Sequence, residues 1–435
     1  MNNLRTLLWI YLWLLIFEGA LRKWIVHGLD APLLVIRDPL VMWIYFQAWR
    51  NRLSFNNMFF AATLALAVLT AALSTLFGHG NVFITLYGLR TDYLQIPLIF
   101  LIPQILNRDD VIAMGWFLLV AAIPMAVLVI LQFRAPPENW LNIGAMATHY
   151  NTVRPSGTFS FITGLVAYFS LVSAFVFFGY IEGRTYKIWL LASVTFALLI
   201  GSACSGSRTC LVSIGLVAVV ATLCVVMRGK GGKGFIVAAA LIALAIPLVA
   251  SLSVVQQGAE QLRQRIEDTA ANGEDAQGFL YRYVDTMVRP FSDIENLPAF
   301  GNGLGLGTNA AAAMLLGDRE FIGPEDEWGR LIWECGPIFG ILLCIFRIAL
   351  TVAVARRAYE AFHRGNILPM LIFTACGLLV LNGQWGVPTA LGFAIFGAGL
   401  TLAACVEPLC DDEYDEHHDH AEEESDHSTT ADTLD

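Results

Sequence analysis

The chain has 435 residues, 57% hydrophobic and 14% charged, with a mean hydropathy of +0.62; one water-soluble core of this length does not bury such an apolar load. The formal net charge of -10 says little about partners, because 13 acidic residues and no Lys or Arg lie in 407–435, leaving 26 basic against 23 acidic residues, or +3, elsewhere. The acidity belongs to a tail, and nothing in the charge balance calls for nucleic acid.

A membrane-crossing helix needs about 20 mostly apolar residues, and about twelve stretches are candidates: 6–21, 32–49, 57–77, 91–106, 111–132, 159–181, 186–203, 209–227, 234–253, 329–351, 366–383 and 387–406. Glu18, Arg22, Lys23 and Trp24 follow the first run where a small-residue cleavage motif would stand, so it reads as a retained helix. Short loops carrying Arg50 and Arg52, Arg108, Arg184 and Lys187, Arg228 to Lys233, and Arg356, Arg357 and Arg364 alternate with loops of the other side. By the positive-inside bias that basic side is the cytoplasm. Both termini are then cytoplasmic, and the long polar connections 133–158 and 254–328 face outward. The fold class expected is all-α: a polytopic membrane domain over 1–406 with about twelve transmembrane helices and a large extracytoplasmic loop. The segment 407–435, with His417, His418, His420 and His427 among its acids, reads as a disordered cytoplasmic tail rather than a metal site. Eight cysteines, mostly in apolar runs, read as small buried hydrophobes and not as a disulfide framework.

The outward side holds Arg22, Arg90, Arg134, Arg154, Arg208, Arg263, Arg265, Arg282, Arg289, Arg319 and Arg330 but one lysine, Lys23. Arginine offers a planar fork of donors that grips phosphate, so the set suggests a phosphate-bearing ligand at that surface. Headgroup contacts and pairing with loop acids are the plainer roles for any single member. Three sit beside distinctive patterns. Arg154 opens Arg154-Pro-Ser-Gly-Thr-Phe-Ser-Phe161, where Gly157 allows a tight turn. Arg208 closes the small-residue stretch Gly201-Ser-Ala-Cys-Ser-Gly-Ser-Arg208, which reads equally as an anion cradle or a tight helical hairpin. Arg282 lies in Tyr281-Arg-Tyr-Val-Asp-Thr-Met287, ahead of the glycine-rich run 298–307, which is no nucleotide P-loop because no Gly-Lys-Ser/Thr ending follows.

Glu325, Asp326 and Glu327 stand together before the tenth candidate span. A carboxylate there caps a helix N-terminus, and a crowded carboxylate also suits a general base that takes a proton from a sugar hydroxyl. Glu334 falls deeper in the span and needs a partner or a polar cavity.

The order Arg-x-Ser-Gly-Thr-Phe (154–159), Ser-Gly-Ser-Arg (205–208), Arg282, Gly-Asn-Gly-Leu-Gly (301–305) and Glu-x-Gly-x-x-x-Gly (334–340) resembles the O-antigen ligase and O-antigen polymerase superfamily. These are bacterial membrane glycosyltransferases acting on polyprenyl-diphosphate-linked glycans. The resemblance covers most of 90–400. It implies a GT-C-like architecture in the bacterial inner membrane, with Arg208 and Arg282 holding the donor diphosphate and Arg154 assisting, without metal or other cofactor. It also implies a catalytic role for Arg282, while Glu325 or Glu327 as base is read from the acidic cluster itself. Ligases of the superfamily carry a His-Asn or similar pair about nine residues before the Glu of the last motif; here Glu325-Asp326 stands there, and 254–328 contains no His.

The reading expected is therefore a polymerase extending a glycan for O-antigen, capsule or exopolysaccharide, with lipid-linked glycans and a chain-length regulator as partners. One alternative is a ligase transferring finished glycan to a lipid or protein. From another class comes a transporter or flippase of an anionic lipid-linked sugar, although the chain lacks an evident internal repeat and the long cytoplasmic mid-chain loop usual in large transporters.

Overall fold

The computed structural model describes residues 2–25, 35–143, 153–229, 232–260, 263, 284–292, 294, 297–316 and 322–407. Arg265, Arg282, Arg319 and the acidic tail from 408 onward lie outside the described residues. Among the described residues the ordered elements are helices: α1 (Asn2–Ala20), α2 (Arg37–Arg50), α3 (Met58–Leu76), α4 (Val82–Leu89), α5 (Leu98–Ile105), α6 (Arg108–Arg134), α7 (Ile162–Glu182), α8 (Ile188–Ser205), α9 (Arg208–Arg228), α10 (Gly232–Ala250), α11 (Asn309–Leu316), α12 (Glu327–His363), α13 (Leu368–Asn382) and α14 (Pro388–Ala403). Wider π-helical turns extend α1 (Leu21–Ile25) and α4 (Arg90–Leu94).

Eight of these are long and apolar enough to cross a membrane: α1 with its π turn, α3, α6, α7, α8, α9, α10 and α12. The other four expected spans are shorter. Over 91–106 the chain holds a π turn and the eight-residue α5, with Pro97 between them as the cap of α5; a proline lacks the N–H that a continuous helix needs there. α2, α13 and α14 have 14, 15 and 16 residues. At 1.5 Å per residue they reach about 21–24 Å, short of the roughly 30 Å hydrocarbon core.

The helix ends follow from local chemistry. Asn57, Asn107 and Ser207 cap α3, α6 and α9 with side-chain oxygens, which satisfy backbone N–H groups left without intrahelical partners. Gly183, Gly206 and Gly229 close α7, α8 and α9 in the left-handed conformation, where glycine carries no Cβ penalty.

α7 lies at the centre, 89% buried across its best 18-residue window, whereas α9, α10 and α3 have 22, 12 and 22% buried and expose apolar side chains on the periphery. In a lipid solvent those exposed faces need no protein cover. The seven cysteines among the described residues are free thiols, six of them buried.

Contacts sort the loops to two ends of the bundle. At the amino-terminal end Arg5 pairs with Asp110 at 3.3 Å, Arg228 with Glu182 at 3.1 Å, and the Arg108 N–H donates to the Val406 carbonyl at 3.0 Å. At the opposite end Arg37 donates to the Pro388 carbonyl at 2.6 Å, Lys23 to Ser156 Oγ at 2.7 Å, and Gln384 to the Glu325 carbonyl at 2.7 Å. The short basic loops and the motif-bearing loops thus fall on opposite ends, as their alternation along the chain requires.

Candidate functional site

The expected site residues that are described all sit at the end opposite the amino terminus. The Arg154–Phe159 segment is strapped to two helices. Gln132 of α6 brackets Gly157, accepting from its N–H at 2.8 Å and donating to its carbonyl at 3.0 Å. Thr158 Oγ1 donates to the Ile16 carbonyl of α1 at 2.6 Å. The π turn after α1 completes the strap: Lys23 Nζ donates to Ser156 Oγ and to the Phe159 carbonyl, and Arg22 donates to Ser160 Oγ. Gly157 makes the turn at φ +61°, as its place in the motif predicts. Gly19 lets α1 approach, since a Cβ there would meet the Thr158 carbonyl oxygen at 2.3 Å.

This strap holds Arg154 within electrostatic reach of Arg208. Burial and the positive charge of Arg208 both lower the Arg154 guanidinium from its ordinary range, and Arg154 Nε is buried without a hydrogen-bond partner among the described residues. Arg208 is the first residue of α9, directly after the Ser207 cap and the left-handed Gly206. The Gly201–Arg208 stretch is therefore a tight helical hairpin with Arg208 at its turn. Like charges within reach of each other repel, and negative charge placed near both offsets that repulsion.

The acidic cluster divides into three different environments. Asp326 is the N-cap of α12, accepting from the Gly329 N–H at 2.7 Å, which is the capping role expected of one of the three carboxylates. Glu327 is buried, its Oε1 accepting from Arg347 Nη1 at 2.7 Å and Arg330 Nη2 at 3.0 Å and its Oε2 from Arg330 Nε at 3.1 Å. A carboxylate that is buried and paired through both oxygens with guanidiniums is out of reach of an incoming hydroxyl, so Glu327 does not have the setting of a general base. Glu325 is exposed, and Gln384 fixes its backbone. Of the two carboxylates expected as base, Glu325 is the accessible one.

Behind that surface lies a buried ionic network that the motifs do not announce. Arg330 also donates to Asp92, at 2.6 Å from Nη2 and 3.3 Å from Nη1, and to Glu334 at 3.1 Å. Arg347 additionally donates to the carbonyls of Val380 at 3.0 Å and Gly383 at 2.9 Å, capping the end of α13, and lies 3.9 Å over the Trp385 ring. Three carboxylates face two guanidiniums, and the surplus negative charge is met by backbone. The N–H groups of Gly305 and Gly307 each donate to Glu334 at 2.8 Å. Glu334 thereby has the partners its depth in the helix demands, and two backbone donors of the glycine run are committed to an internal carboxylate.

The same run docks onto a break in α12. Pro337 has no N–H for the Trp333 carbonyl, and Gly336 at φ +78° interrupts the helix. Asn302 N–H takes up the Trp333 carbonyl at 3.0 Å and Gly303 N–H the Glu334 carbonyl at 2.9 Å. Close approach is needed on both sides: a Cβ at Gly301 would lie 2.3 Å from the Glu334 carbonyl oxygen.

A second buried cluster joins the amino-terminal helices. Arg37 pairs with Glu18 at 2.8 Å, Arg90 with Asp38, and Gln95 bridges Asp38 at 3.1 Å and Tyr11 at 2.7 Å. Arg90 and Arg330, counted in the outward arginine set, are thus held in internal ion pairs. Sequence reasoning missed Asp92, Arg347, Glu18, Arg37 and Asp38 as network members. The available signal was their position: each is a charge within or beside an apolar run, where a partner is obligatory.

Compared with models of known protein families the chain matches none, and comparison with curated proteins also finds no match.

Proposed function

We propose that the protein is a bacterial inner-membrane glycosyltransferase that polymerises polyprenyl-diphosphate-linked oligosaccharide units at the extracytoplasmic surface. In this reading the end bearing Arg154, Arg208 and Glu325 faces outward and both termini are cytoplasmic. The shorter α2, α13 and α14 and the interrupted stretch 91–106 complete twelve crossings of a GT-C-like bundle. The observation that supports the proposal is that the Arg154 guanidinium lies within electrostatic reach of Arg208, the two coming from two motifs of the resembled superfamily, with Arg154 Nε buried and unbonded among the described residues.

The chemistry requires no metal. A hydroxyl oxygen of the acceptor sugar attacks the anomeric carbon of the donor glycan and forms the new glycosidic bond. The bond from that carbon to the diphosphate oxygen breaks, and the electron pair leaves with the polyprenyl diphosphate. Arg154, Arg208 and Arg282 hold the charge that grows on the diphosphate, while the Glu325 carboxylate takes the hydroxyl proton. The Arg330 network has a supporting role: it fixes the start of α12, and with it the position of Glu325.

Single Arg208→Ala and Arg282→Ala substitutions test the reading. Surface polysaccharide is expected to fall in amount or chain length at normal protein level, and unchanged polysaccharide from both variants overturns it. The form of the product separates the enzyme classes: a ladder of lengths marks a polymerase, and a single capped transfer marks a ligase.

A further inference from the structure

At the amino-terminal end of the bundle, opposite the end that bears Arg154 and Glu325, α3, α5, α12 and α14 leave a groove of about 470 Å³ between them. It exists because α5 is only eight residues long and carries Pro103, so it fills little of the space beside the long α12. The walls are apolar, chiefly Phe59, Phe100, Val354 and Leu402. The charged residues lining it are Arg357 and Arg364. Both are exposed, one on the last turns of α12 and the other just past its end.

We infer that this groove binds an anionic phospholipid, one acyl chain lying along the aromatic and aliphatic wall and the phosphate resting on Arg357 and Arg364. Charge complementarity selects the occupant: an uncharged chain leaves the two guanidiniums unused, and a purely polar anion leaves the apolar wall unused. The acid near the rim does not satisfy the arginines. Glu360 stands 3.6 Å from Arg357, both groups well exposed, and such a pair contributes little against solvent. Among the described residues Arg364 donates to the Glu360 carbonyl, at 3.4 Å, and to no carboxylate. The position suits a headgroup, since basic residues at the ends of membrane helices draw anionic lipid.

The competing occupant is the chain's own acidic segment. Val406 lines the groove, and the 13 acids of 407–435 begin at the next residue. That segment has the charge for the arginines but few apolar residues for the wall, which favours lipid.

The test is native mass spectrometry of the full chain in detergent, titrated separately with dioleoyl-phosphatidylglycerol and dioleoyl-phosphatidylcholine. Phosphatidylglycerol is expected to be retained roughly tenfold or more over phosphatidylcholine, in line with two charge-assisted contacts. The double variant Arg357→Gln, Arg364→Gln, both at exposed positions, is expected to bring the ratio near one while the unfolding temperature holds. Leu402→Trp, which fills the wall, is expected to reduce retention of both lipids. A chain ending at Glu407 is expected to keep the preference. Equal retention of the two lipids by the native chain, or an unchanged ratio in the double variant, overturns the inference. A preference that emerges only after removal of 408–435 also overturns it, because the acidic segment would then be the occupant.

Discussion

Arg330 on α12 and Asp92 in the π turn after α4 are 238 residues apart in the chain and joined by a buried contact of 2.6 Å. Removing one partner of such a pair leaves an uncompensated charge and costs on the order of 3–5 kcal/mol. Asp92→Asn is therefore expected to lower the unfolding temperature in detergent by several degrees and to reduce the amount of protein in the membrane. An unfolding temperature equal to that of the native chain would show that the ion pair carries no stability.

Glu334 tests the glycine run separately. Glu334→Gln removes the charge that receives the Gly305 and Gly307 N–H groups and places an amide donor beside them. Charge-assisted hydrogen bonds contribute about 1.5–3 kcal/mol each, so segment 297–316 is expected to be cut faster by protease while cleavage elsewhere is unchanged. Equal cleavage rates in the segment would contradict the assignment of those donors.

Backbone geometry gives a paired comparison. Gly301 and Gly305 have φ +75° and +87°, and a Cβ would meet the Glu334 carbonyl oxygen at 2.3 Å and the Ile84 carbonyl oxygen at 2.4 Å. Gly215 on α9 has nothing within 4 Å. Alanine at either loop position is expected to destabilise by at least 1–3 kcal/mol. Gly215→Ala is expected to be neutral or to stabilise by about 0.5–1 kcal/mol, as alanine does in helix interiors. Thermal unfolding of the three variants side by side reads the order.

Lys23 ties the Arg154 loop to α1 through neutral oxygens. Lys23→Met is expected to reduce glycan product by loosening that loop, through a higher acceptor or donor KM more than a lower kcat, because no reacting atom is touched. A loss confined to kcat would give Lys23 a different role.

The helical class was legible in the sequence because spans such as 159–181 and 209–227 are uninterrupted apolar runs, and α7 and α9 occupy them nearly end to end. The extent of 91–106 was not: hydropathy averages over Pro97, while the backbone breaks at it. The Arg154 turn could be read from Gly157, whose positive φ is a local property. Its neighbour Arg208 comes from a different motif, and the distance between two motifs is set by helix packing rather than by either pattern. Glu327 shows the same limit from the other side. Beside Glu325 and Asp326 it looked like a surface acid, yet one residue further along the first helical turn rotates it inward onto Arg330 and Arg347. The rotation follows from the 3.6-residue period, but its partners include an arginine twenty positions away.

The central claim is tested most directly by incubating the purified chain in detergent with a polyprenyl-diphosphate-linked oligosaccharide repeat unit and separating the products by mass. The account predicts glycans of two and more units with matching release of free polyprenyl diphosphate, both lost in Arg208→Ala. Recovery of the intact lipid-linked unit alone, from protein that unfolds at its normal temperature, would contradict it.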